Sequence, residues 1–333
     1  MLNNFLTLTQ IMVQCENFTN CKMYSCQCTS LVPRGAADLA TVSSIIIIFL
    51  GVPGNSIVVL SLFSSSKLLA NPTTKFIINL AIADLIFCSI NLPLTSIRYF
   101  TCSWPFGDLI CHLYPFLFYS NVAVSLMSIT AITINRLISI TCYRHYDQIY
   151  QKRYILCMIA FCWLFPFILL SLPMFKIWGQ FGLEPKTFSC TILRYQGKSP
   201  KSFLFLFAFF VPSITILISY SIIWYKVMFH PSRSKDMKRK TWKRDLKMTK
   251  MIVILFVTFI SCFAPLMIAN VLLPPDRYPY IHIIASIMSW TNCCINPILY
   301  FAMDGRYRSA FKQFISSSVA VVNSNRGETT SNL

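Results

Sequence analysis

Residues 108–142 read DLICHLYPFLFYSNVAVSLMSITAITINRLISITC, and this stretch decides the fold. It is mostly apolar over a length that only a helix crossing a bilayer explains. At about 1.5 Å rise per residue, Cys111 and Arg136 stand ~38 Å apart, close to the ~40–45 Å of a bilayer with its headgroups. One end therefore carries a cysteine at an oxidising face, and the other a lone arginine at the opposite face. Asn121 and Ser125, four apart on one side of the helix, fall near the midplane. Polar side chains there are costly and are either paired or functional.

The surrounding chain agrees. It has 333 residues, 55% hydrophobic and only 12% charged, with a mean hydropathy of +0.59. A soluble domain carries about 25% charged residues, so the composition predicts a polytopic, all-α membrane protein. Apolar segments follow at 39–64, 72–98, 108–142, 152–174, 201–229, 244–272 and 279–303, each long enough to span the bilayer. An odd number puts the termini on opposite sides. The 226–250 connection carries ten Lys and Arg residues and is read as cytoplasmic. The net charge of +18 follows the same logic: twenty of the 29 Lys and Arg residues fall on the segments assigned inside. That is the positive-inside bias, basic loops against anionic lipid, and it argues against a nucleic-acid partner.

The ends are read from the same topology. Residues 1–38 form an extracellular tail whose Asn17-Phe18-Thr19 is an N-glycosylation acceptor. Its Cys15, Cys21, Cys26 and Cys28 are read as disulfide-forming rather than zinc-binding. Leu31-Val32-Pro33-Arg34-Gly35 resembles a thrombin cleavage site, with coincidence the stronger reading. Residues 1–14 lack the basic start and compact apolar core of a signal peptide, so the first membrane helix is expected to act as its own insertion signal. Residues 304–318 alternate basic and aromatic side chains at helical spacing, as suits a short amphipathic helix on the inner leaflet. Residues 319–333 are a polar, disordered tail.

With these motifs in hand the chain resembles the rhodopsin-like G-protein-coupled receptors. The resemblance rests on Gly54-Asn55, Asn79-Leu80-Ala81 with Ala83-Asp84, Trp104-Pro105-Phe106-Gly107, Cys111, Asn135-Arg136-Leu137, Trp163, Pro212, Tyr220, Cys262-Phe263-Ala264-Pro265 and Asn296-Pro297-Ile298-Leu299-Tyr300, all in order. The stretch from Trp178 to Thr191, with Asn135 where an acid is usual, is similar to the arthropod Moody and Trapped-in-endoderm receptors. Leu137, where Tyr is usual, departs from the pattern.

The resemblance implies a plasma-membrane receptor coupling an extracellular ligand to a heterotrimeric G protein of the inhibitory class, with arrestin as a second partner, in chemotaxis or barrier signalling. It implies a Cys111–Cys190 disulfide that holds the second outer loop as a lid. Arg136 is expected to be clamped by Asn135 and by Asp245, with Tyr220 and Tyr300 lining a crevice when it opens; interfacial anchoring is the bland alternative for both tyrosines. Pro212, Pro265 and Pro297 remove mid-span hydrogen bonds and allow kinks, and Phe263 stands as a bulky rotamer switch. Asp84 with Asn121, Ser125, Asn292 and Asn296 corresponds to the family's sodium pocket. A protonated Asp84 in an ion-free polar core is the alternative.

The ligand is less legible. Phe118 replaces the aspartate of amine receptors, so a lipid or other small molecule is favoured over an amine. Arg98, Phe118, Arg194, Asn270 and Trp290 are the candidate contacts. The two arginines would suit an anionic lipid, unless both simply face outer headgroups. Two other functional classes fit the sequence less well. A channel or transporter would need more buried acids than Asp84 and an internal repeat. An enzyme would need a nucleophile or metal constellation, and Cys293-Cys294 and four scattered histidines supply none.

Overall fold

A computed structural model describes residues 32–229, 239–274 and 277–317. Asn17 and the four tail cysteines lie outside the described residues. Seven helices among the described residues are long and apolar enough to cross a membrane. They are α1 (Arg34–Phe63), α2 (Pro72–Phe100), α3 (Gly107–Thr141), α4 (Lys152–Met174), α5 (Lys201–Phe229), α6 (Arg239–Leu272) and α7 (Pro279–Met303). A further helix, α8, covers 305–317. The departure from an all-helical chain is a hairpin of β1 (Gln180–Glu184) and β2 (Ser189–Leu193), antiparallel, with Leu183 opposite Cys190.

Two helix starts differ from the hydropathy pattern. α1 begins at Arg34, five residues before the apolar run, because Ala36, Ala37 and Ala40 are small enough to be buried against the bundle. Arg34 also pairs with Asp38 one turn on, at 3.0 Å. α6 likewise extends into the basic connection, since straight-chain Lys and Arg residues are good helix formers.

Local chemistry sets the other ends. Asn71 caps α2 by accepting from the Thr73 amide at 3.0 Å, with Pro72 in the first turn. Within α2, Phe87–Asn91 form a π turn immediately before Leu92-Pro93, where the proline lacks an amide for the regular ladder. Asp304 caps α8, its Oδ1 accepting from the Arg306 amide at 2.9 Å.

Polar braces cross the apolar core. Asn79 of α2 donates to Ser128 of α3 and accepts from the Trp163 indole of α4, both at 2.8 Å. Asn55 of α1 donates to the Cys293 carbonyl of α7 at 2.8 Å. At Gly54 a Cβ would sit 3.3 Å from Pro297 Cγ, so the absence of a side chain lets α1 and α7 approach. Tyr307 and Phe311 of α8 are buried in the main core, which docks that helix beneath α2 and α7. The outward faces of α4 and α5 stay apolar and exposed, Leu156, Leu164, Ile214 and Leu217 among them, as lipid contact requires.

Candidate functional site

Three sites line up along α3. The outermost is a cavity of about 790 Å³ between α3, α5, α6 and α7, roofed by the hairpin. The roof is held by the Cys111–Cys190 disulfide, which joins the start of α3 to β2 with a Cα–Cα distance of 5.2 Å. Cys102, in the turn after α2, is disulfide-bonded as well. Aromatic and aliphatic side chains form most of the wall, with Phe118, Phe263, Asn270 and Trp290 in it. Arg98 is on the wall too, buried, with its guanidinium 4.2 Å from the Tyr99 ring centre and its Nη1 donating to the Thr187 carbonyl at 3.3 Å. Arg194 is not: it sits just beyond β2, exposed, because the strand ends at Leu193 and the chain turns outward. Phe263 stacks on Phe259 with ring centres 4.4 Å apart, at the floor.

The middle site surrounds Asp84. Its carboxylate accepts from Ser125 at 3.2 Å and from the Asn296 amide at 2.7 Å. Asn121 does not reach it in this arrangement; its amide donates to the Ala83 carbonyl at 3.0 Å. The side-chain oxygens of Asn121 and of Asn292 are buried with no hydrogen-bond partner. Further inward Tyr300 is fully buried, its hydroxyl also without a partner.

The innermost site is built on Arg136. Nε and Nη2 donate to Asn135 Oδ1 at 3.2 and 2.5 Å, Nη2 also donates to Thr73, and Nη1 points at the Met248 sulfur. Asn135 Oδ1 additionally accepts from Thr73 Oγ1 at 2.7 Å, while its amide donates to Tyr146 at 3.0 Å. The asparagine oxygen is therefore fully used, as a buried polar acceptor needs to be. Tyr220 lies toward Thr133 without a well-formed hydrogen bond. Asp245 falls in the first turns of α6, but its side chain lies outside the described residues.

Sequence reading missed Thr73 and Tyr146. Both are ordinary polar residues outside any motif, and only the approach of α2 and of the short helix Tyr146–Ile149 to α3 makes them partners. It also missed the contact of Cys88 and Cys293, whose sulfurs are 2.9 Å apart between α2 and α7.

A seven-helix bundle with a roofed outer cavity, a polar midsection and a hydrogen-bonded inner arginine is the frame of a transmembrane signalling receptor. The chain belongs to the rhodopsin family of seven-transmembrane receptors, whose family model matches residues 54–300. It is 40% identical over 309 residues to protein trapped in endoderm-1 of Drosophila melanogaster, covering 85% of this chain and 78% of that one. It is 30% identical over 351 residues to the G-protein coupled receptor moody of Drosophila pseudoobscura pseudoobscura, covering 83% of this chain but 52% of that protein's length. Melatonin receptor type 1A of Mus musculus is 29% identical over 295 residues, 86% of this chain and 83% of the other. Among solved structures squid rhodopsin superposes with a TM-score of 0.75 over 86% of this chain and 87% of its own, at 24% identity, a likeness of fold. The protein is a G-protein-coupled receptor and not an enzyme, and a channel or transporter is not favoured.

Proposed function

We propose that the receptor responds to a lipid or other small molecule, rather than an amine, in the roofed cavity and passes the response to an inhibitory-class heterotrimeric G protein, in chemotaxis or barrier signalling. The observation that carries this reading is α3 itself. One helix supplies Phe118 to the cavity wall, Ser125 to the Asp84 cluster and Arg136 to the inner clamp. Displacing its outer half bears directly on the other two. Release of Arg136 from Asn135 and Thr73 would free the inner ends of α3 and α6, with Tyr220 and Tyr300 moving into the opened crevice. Arrestin would use the same crevice. Pro212, Pro265 and Pro297 give α5, α6 and α7 their hinges, since each helix lacks a ladder hydrogen bond there.

Sodium fits the middle site. Asp84 brings a buried negative charge, and Ser125, Asn121, Asn292 and Asn296 bring neutral oxygens, two of them without partners. Hard oxygen donors around one carboxylate suit a small hard cation completed by water. Bound there, sodium would supply counter-charge to Asp84 and so favour the compact, inactive packing.

In this reading the amino terminus lies outside the plasma membrane, with Asn17 glycosylated, and the basic 226–250 connection lies inside, as the positive-inside bias supports. The test is nucleotide exchange on purified heterotrimeric G protein by the receptor in nanodiscs. Exchange above that of empty nanodiscs, lost on replacing Arg136 by Ala, is the expected result. No exchange from any G-protein class would overturn the reading.

A further inference from the structure

We infer that the ligand is a single-chain amphiphile with an anionic head, seated with its head on Arg98 and its chain running into a cleft between α4 and α5 that opens to the bilayer. The inference rests on the receptor reading and names the ligand class for its cavity.

Arg98 carries the first part. It is 6% exposed, its Nε is buried with no hydrogen-bond partner, and no described carboxylate pairs with it. A buried guanidinium held by aromatic faces, the Tyr99 side chain and one carbonyl, with no described carboxylate beside it, is costly, and its remaining donors are a fork suited to an oxyanion. The phenols around it, Tyr99 and Tyr114, are aromatic faces that shield the charge without neutralising it. Glu184, a carboxylate of the wall, stands near Lys201, which offsets it. The wall therefore offers a net positive, water-poor corner at its outer end.

The shape carries the second part. Beyond Phe118 and Val122 the lining continues along Ala123, Met127 and Thr130 of α3, then out to Phe161 and Phe165 of α4 and Phe207 and Val211 of α5. Those last residues face lipid, with Phe161 54%, Phe207 38% and Val211 47% exposed. α4 and α5 each pack along α3 and scarcely touch one another. At their outer ends the gap is bridged by Leu170 of α4 and Leu204 of α5 packing with Phe181 and Ile192 of the hairpin, so the cleft faces the hydrocarbon and not the water. The cleft walls are mostly apolar, the Thr130 hydroxyl being taken up by the Leu126 carbonyl at 2.9 Å, so they give a hydrophilic ligand little to order it, whereas an alkyl chain gains the transfer free energy at each methylene. A molecule that partitions into the bilayer would reach the cavity from the side.

The probes are dodecanoate, dodecyl phosphate, dodecanol and dodecylammonium, titrated into receptor nanodiscs of zwitterionic lipid. Binding is read by Trp290-dependent fluorescence and, separately, by nucleotide exchange. The two anions are expected to bind saturably, and their ranking tells a carboxylate source from a phosphate source. Dodecanol and dodecylammonium should bind at least about tenfold more weakly, the scale of a lost charge-assisted bond. Arg98→Gln should erase that preference, and Arg98→Lys should keep part of it, so the idea remains testable if the glutamine variant fails to fold. Ala123→Phe, which fills the cleft, should weaken dodecanoate about tenfold while leaving butyrate unchanged. Equal binding of the alcohol, or dodecanoate affinity indifferent to both Arg98→Lys and Ala123→Phe, overturns the inference. Ligand-free exchange separates the two readings: exchange without anion binding sinks this inference alone, and anion binding without exchange sinks the receptor mechanism alone.

Discussion

Among the described residues, Asn135 and Thr73, which carry no charge of their own, hydrogen-bond Arg136. Hydrogen bonds to a charged group are worth about 1.5–3 kcal/mol each when buried, enough to hold the arginine yet weaker than a buried ion pair that is fully hydrogen-bonded. Asn135→Asp should therefore strengthen the clamp and lower ligand-free nucleotide exchange by about fivefold or more, a typical coupling free energy. Thr73→Val removes two hydrogen bonds at once and should raise ligand-free exchange. If neither variant shifts the basal rate, the neutral clamp is not what holds the inactive state. Asp84 gives the second residue-scale expectation. Replacing choline by sodium should lower basal exchange in the wild type, because a ligand shifts only the state it binds differentially. Asp84→Asn should make the rate flat in sodium, and a flat response in the wild type would decide for an ion-free core.

At the scale of elements, the hairpin depends on one covalent tie across 79 residues of sequence. Losing such a bridge costs about 2–5 kcal/mol in many extracellular folds, so Cys111→Ser or Cys190→Ser should sharply reduce surface expression, read by flow cytometry of a tagged receptor. Asp304 caps α8 and pairs with Arg306 at 2.7 Å, which supports the helix that Tyr307 and Phe311 dock by burial. Burial pushes this carboxyl up, but the Arg306 hydrogen bonds and charge, with Lys247, outweigh it and hold it below the ordinary value of 3.8. A depressed carboxyl stabilises the fold above its unfolded pKa and loses that contribution as pH falls through the folded one. Asp304→Asn should thus lower the melting temperature at neutral pH, and the difference should shrink as the pH falls below 3.8 and through the depressed folded pKa. A difference independent of pH would assign the effect to packing.

At the scale of the whole molecule the seven spans, their order and the marker residue of each helix were legible in the sequence. Hydrophobic length is a local property, set by bilayer thickness and the 1.5 Å rise, and α4, α5 and α7 run where the apolar segments at 152–174, 201–229 and 279–303 put them. The bridge between Cys111 and Cys190 was legible as a resemblance. Four of the five proposed ligand contacts lie on the cavity wall, although their roles await the experiments above.

The remainder needed three dimensions. Arg98 and Arg194 look alike in sequence, two arginines at the outer face, and only folding separates them: α2 turns Arg98 inward beneath the hairpin, while β2 ends before Arg194 and leaves it in solvent. Asn121 and Asn292 share a spacing with Ser125 and Asn296, but rotamer and neighbour decide which of them touches Asp84, and the Ala83 carbonyl claims the Asn121 amide. Thr73 carries no motif at all and becomes a partner of Arg136 only because α2 crosses α3 at that level. The sequence by itself determined which segments span the membrane, since partitioning into lipid depends on composition over about 20 residues. Which polar atoms meet inside the bundle was decided by tertiary packing alone, because a hydrogen bond depends on ångström-scale placement that no local pattern encodes.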